Sequence, residues 1–102
     1  MKKIINGKKY DTETAKKVAT WENGLGYKDF GYCEETLYLK KTGEFFLYGA
    51  GGPMTKYAQA AYGGGTTSGE DITPLTEAKA KKWAEDHVDA DAYEKIFGDV
   101  EE

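Results

Sequence analysis

The stretch Glu34–Gly49, "EETLYLKKTGEFFLYG", limits the possible folds more than any other part of the chain. Two runs rich in β-forming residues flank Lys41-Thr42-Gly43, a loop whose glycine suits a left-handed position in a hairpin. Strand alternation puts Leu37 and Leu39 on one face and Thr36, Tyr38 and Lys40 on the other. On the returning strand Phe45 and Leu47 alternate with Phe46 and Tyr48. A central β-hairpin with one strongly apolar face needs elements to cover it.

The flanking segments supply them. "KKIINGKKY" reads as a short strand around Ile4 and Ile5, an Asn6-Gly7 turn and a return toward Tyr10. Asp11 or Thr12 is placed to cap a helix through "TETAKKVA", with Lys16 and Lys17 near its end. "WENGLGYKDFGY" reads as a loop carrying Trp21, Tyr27, Phe30 and Tyr32. The glycine-rich span after the hairpin encloses "PMTKYAQAAY", expected as a short helical piece with Pro53 in its first turn. "EDITPL" reads as one further strand.

Two helices close the chain. Thr76 caps the first, whose inward stripe is Ala80, Trp83, Ala84, His87 and Val88. Asp89 caps the second, Tyr93, Ile96, Phe97 and Val100 form its apolar stripe, and Gly98 ends it. The expected fold is α+β over a single domain, residues 1–102: a small antiparallel sheet with a central hairpin, packed by helices that include a C-terminal helix pair. No apolar run is long enough for a signal peptide or a membrane span. One cysteine, Cys33, excludes an internal disulfide and fits a reducing compartment. A soluble cytoplasmic protein, with no membrane partner, is expected.

Charge is unevenly distributed. Residues 1–67 hold ten lysines and seven acids, and residues 68–102 hold four lysines and eleven acids. The last eighteen residues, "EDHVDADAYEKIFGDVEE", carry eight carboxylates and the only histidine. There is no arginine, the usual bidentate reader of guanine and phosphate, which weighs against sequence-specific nucleic-acid binding. An acidic chain of this kind suits a basic protein surface better. Charge runs are also commonly solvated faces, and Asp89 and Asp91 would stabilise a helix start by about 0.3–1 kcal/mol each.

Familiar catalytic motifs are missing. "GAGGPMTK" places Thr55 before Lys56 and gives no phosphate-binding G-x-x-x-x-G-K frame, and Gly49, Gly51 and Gly52 lack the third glycine of a dinucleotide fingerprint. Cys33 and His87 are a nucleophile–base pair only in the sense that the chain has one of each. No cofactor is expected. A structural zinc site would start from His87 and Cys33 and need Asp86, Asp89 or Asp91 to complete it, without the usual paired cysteines and histidines. The calcium-loop pattern fails after Asp89 and Asp91. Eight tyrosines exceed the needs of a small core, so some of Tyr27, Tyr38, Tyr57 and Tyr62 are expected at a contact surface.

Three blocks, "KKIINGKKYDTETA", "EETLYLKKTGEFFLYGAGGPMTKYA" and "ITPLTEAKAKKWAEDHVDADAYEKIFGDV", cover most of the chain. In them it resembles small proteins carried on phages and other mobile elements of Gram-positive bacteria, a group similar to type II-A anti-CRISPR proteins, the inhibitors of Cas9. The blocks are structural signatures, so no active-site residue is implied. The resemblance implies a protein that is not an enzyme, with a Cas9 or Cas9–guide RNA complex as partner. Such effectors hold nucleic acid in basic channels and read a short PAM with basic residues. The charged contact set would then be Glu85, Asp86, Asp89, Asp91, Glu94 and Asp99, and contact with the recognition lobe is equally open. A metal would hold the fold rather than do chemistry. The alternative is a DNA-binding accessory or regulatory protein of a mobile element, using Lys2, Lys3, Lys8, Lys9, Lys16 and Lys17. A third is a hydrolase using Cys33 or a metal at His87.

Overall fold

The computed structural model describes residues 1–102. Asn6 and Gly7 both have positive φ, 51° and 76°, as a two-residue turn between right-twisted strands demands. They join β1 (Lys2–Ile5) to β2 (Lys8–Asp11). After β3 (Lys16–Glu22), the central hairpin pairs β4 (Cys33–Leu39) with β5 (Phe45–Gly51), and Gly43 takes the left-handed position with φ 92°. Two short strands, β6 (Gln59–Ala60) and β7 (Thr66–Thr67), pair with each other before β8 (Gly69–Leu75). β3-β4-β5-β8 form an antiparallel four-stranded sheet, followed by α1 (Glu77–His87) and α2 (Ala90–Phe97). The fold is α+β, with the expected hairpin at its centre.

Each face of that sheet has its own cover. On one, Leu37, Phe45 and Leu47 pack with Ala80, Trp83 and Ala84 of α1, and Tyr93, Ile96 and Phe97 of α2 close the edge. On the other, Tyr38, Phe46 and Ile72 meet Tyr10 of β2. Tyr38 stacks on Phe46 at 5.1 Å, and Tyr10 meets Phe46 edge-on at 5.6 Å. Both helix starts are capped as their sequences require. The Thr76 hydroxyl accepts from Lys79 N at 3.2 Å and the Asp89 carboxylate from Ala92 N at 2.8 Å.

Two expected helices are not helices. Asp11 does use its cap chemistry, accepting from Glu13 N through its side chain at 2.9 Å and from Ala15 N through its carbonyl. The chain then turns only once and enters β3. Val18, Thr20 and Trp21 suit a pleated surface, and pairing with β4 satisfies the backbone better than a short helix, which is marginal in water. A register shift between Lys17 and Ala19 puts Ala19 opposite Leu37 and Trp21 opposite Glu35. "PMTKYAQAAY" makes turns and the short β6 strand instead, with the Thr55 hydroxyl donating to Gly52 O at 2.9 Å. The first of its two tyrosines, Tyr57, is drawn onto the sheet. Trp21 and Glu22 belong to β3 and not to the loop that follows.

Candidate functional site

The two closing helices bring the expected acidic residues to one region. Glu85, Asp86, Asp89, Asp91 and Asp99 are exposed, and Glu94 is half-buried. Asp86 lies 3.4 Å from Lys82 Nζ, the only one of the six within ion-pair distance of a lysine. Asp89 is occupied as the cap of α2, and Glu94 Oε2 accepts from Val100 N at 3.4 Å. Between α1 and α2 runs an open groove of about 610 Å³, walled by Glu85, Asp89 and Glu94 and floored by Val88, Ala90, Tyr93 and Val100. Val100, expected on the inward stripe of α2, is instead 57% exposed at the groove.

His87 and Cys33 do not converge on a metal geometry. The His87 ring is sandwiched against Trp21 at 4.4 Å and Trp83 at 5.0 Å. Its Nε2 lies 3.8 Å from Glu35 Oε1. No three His, Cys, Asp or Glu side chains come together as metal ligands would. Burial pushes the Cys33 thiol up, and the Glu35 charge adds to it, which disfavours the thiolate that zinc or a nucleophilic mechanism needs.

The most deeply buried charged group is one that no motif announces. Glu35 sits on the helix-facing side of β4 and is only 2% exposed. Its Oε1 accepts from Trp83 Nε1 at 3.0 Å, while its Oε2 accepts from the Tyr57 hydroxyl and lies 2.8 Å from Lys56 Nζ. Burial alone would raise its pKa; hydrogen bonds from Lys56, Tyr57 and Trp83 outweigh that and hold it below the ordinary range. The same carboxylate, after burial, pushes the Tyr57 hydroxyl well up. Gly49 lies opposite Glu35 across the hairpin, and a Cβ there would collide with the Tyr57 ring. Glycine is needed at 49 for close approach, not for an unusual φ. Every oxygen of Glu35 is engaged and its charge is stabilised, so it is a poor proton acceptor and a good structural tie.

The signal for Glu35 was present in the hairpin. Alternation that turns Leu37 and Leu39 inward also turns Glu35 and Cys33 inward, and a carboxylate on a core face must find donors. No protein-family model, curated protein or solved structure matches this chain. Of the tyrosines expected at a surface, Tyr27 and Tyr62 are exposed, whereas Tyr38 is buried in the hairpin-side core and Tyr57 is bound to Glu35. Two of the six N-terminal lysines are paired, Lys3 with Asp71 at 2.6 Å and Lys8 with Glu44 at 3.0 Å. No helix is long and apolar enough to cross a membrane.

Proposed function

We propose that this chain is an inhibitor that docks non-covalently on a basic surface of a Cas9–guide complex and keeps target DNA from loading. The observation that carries the reading is the α1–α2 groove, an apolar floor of Val88, Tyr93 and Val100 between carboxylates that no lysine pairs. An interface needs a desolvated apolar anchor inside a polar rim, because rim charges alone contribute little affinity. The floor supplies the anchor. Glu85, Asp91 and Asp99 supply steering toward positive potential and discrimination against acidic partners. The resemblance of three sequence blocks to anti-CRISPR proteins names the partner. An inhibitor of this kind needs no chemistry of its own and no cofactor.

The DNA-binding alternative has less to stand on, since two of its six lysines are tied to carboxylates and no arginine is present. The test is a titration of the protein into a Cas9–guide complex binding a fluorescent target duplex, with the duplex alone as control. Loss of duplex binding only when the effector is present supports the reading. An unchanged complex overturns it, and a shift of the duplex alone, weakening steeply with salt, would favour the DNA binder.

A further inference from the structure

The sheet has a second surface that the helices do not touch. Glu34 and Glu70 alternate with Glu35 and Asp71, so they lie on the face away from α1 and α2. The β1–β2 hairpin covers the part of that face around Tyr38, Phe46 and Ile72. At the other end, Glu22 stands directly opposite Glu34, and Ala50 separates Glu34 from Glu70. Like charges directly opposite one another destabilise a sheet, and none of these three carboxylates has a lysine within ion-pair distance. Opposed carboxylates with no cation of the chain to offset them are expected where a partner supplies the positive charge.

The surroundings specify the missing charge. Glu34, Glu70, Tyr27, Tyr32 and Tyr48 help line an open groove of about 580 Å³. Tyr32 donates to Glu34 Oε2 at 2.8 Å and Tyr48 to Glu70 Oε2 at 2.7 Å, leaving the other oxygen of each carboxylate without a side-chain donor. Tyr27, 85% exposed, and Tyr32 present rings 5.7 Å apart and tilted by 59°. Aromatic faces beside carboxylates attract a partly desolvated cation. Thr36, two residues from Glu34 on the same face, is only 8% exposed. We propose that the groove is a docking site for a lysine or arginine side chain of a partner polypeptide laid across the uncovered end of the sheet. Charge complementarity selects that occupant. The site is independent of the α1–α2 groove and needs no particular effector as its partner.

The test uses fluorescence anisotropy of a short labelled peptide alternating lysine with threonine, its arginine counterpart, and a glutamate counterpart as control. The whole chain is compared with E34Q/E70Q and with D91N/D99N, which removes the same charge from the helix pair. The expected result is binding of a basic peptide that weakens by about tenfold in E34Q/E70Q and stays within about twofold in D91N/D99N. Removing like-charge repulsion keeps E34Q/E70Q folded, which circular dichroism checks. Equal weakening by both variants means non-specific attraction and overturns the proposal. So does weakening by D91N/D99N alone, which would leave the α1–α2 reading standing. No binding at about 1 mM peptide also overturns it.

Discussion

The indole nitrogen of Trp83 donates to the Glu35 carboxylate at 3.0 Å, and this bond ties α1 to the middle of the sheet. Tyr57 reaches the same carboxylate from the glycine-rich segment. One acidic side chain therefore joins three parts of the chain. Glu35→Leu should cost about 3–5 kcal/mol, because it strands the donors of Trp83, Tyr57 and Lys56. Lys56→Met should cost about 1 kcal/mol or less, because that lysine side chain is 67% exposed and solvent replaces it. Urea unfolding midpoints of the two variants check the contrast.

Acid should weaken the fold through depressed carboxylates. Hydrogen bonds from Lys8, Lys40 and Thr42 hold Glu44 down to about 2, and Glu35 and Asp71 are also lowered. A carboxylate whose folded pKa is depressed contributes stability above its unfolded value, and that contribution disappears as pH falls through the folded value. Stability should therefore decline from about pH 4.5 toward about pH 2. Thermal unfolding across that range should show a shallower slope in Glu44→Gln than in the parent protein.

Alkali should act through tyrosine. The hydrogen bond to Glu34 pushes Tyr32 up to about 12, and Tyr48 and Tyr57 are raised further. The folded state binds these protons more tightly than the unfolded one, so their contribution is full below about pH 10 and is lost as pH rises beyond it. Spectrophotometric titration should find Tyr32 ionising about two pH units above the ordinary tyrosine value. Tyr32→Phe should remove that late step.

Gly49→Ala tests the close approach of Tyr57. The added methyl meets the tyrosine ring, which must leave Glu35 or shift the sheet. A loss of about 1–3 kcal/mol is expected, the range for an overpacked site. Gly7→Ala should cost less, through backbone conformation alone, because its Cβ would meet nothing within 4 Å. Thermal unfolding of both variants separates crowding from strain.

Trp83→Ala should lose about 3–5 kcal/mol, since the indole is buried against Leu37 and Leu47 as well as bonded to Glu35. Unchanged thermal unfolding would contradict the register of α1.

How much was legible before the structure depends on what each segment needs from the rest of the chain. Local chemistry specifies the Asn6-Gly7 turn, the central hairpin, the Thr76 and Asp89 caps and the two closing helices, because each has its turn or capping residues within a few positions. The segment Thr12–Ala19 misleads because its apparent helix start, Asp11, spends its carboxylate on one turn, and the strand that follows is decided by distant β4. Pro53–Tyr62 misleads for a related reason: Tyr57 is held by Glu35, twenty-two residues earlier. The acidic region was visible as charge, while its groove depends on how α1 and α2 pack. The opposed Glu22 and Glu34 were invisible without the register of β3, a strand that its own sequence disguises.

The most direct measurement compares the parent protein with E85K/D91K/D99K in displacing a fluorescent duplex from a Cas9–guide complex. The variant spares the Asp89 cap, and reversing Asp91 costs α2 only about 0.3–1 kcal/mol, so the fold survives. The parent should block duplex loading and the variant, with an unchanged circular dichroism spectrum, should not. Full inhibition by the variant, or none by the parent, would contradict the proposed docking.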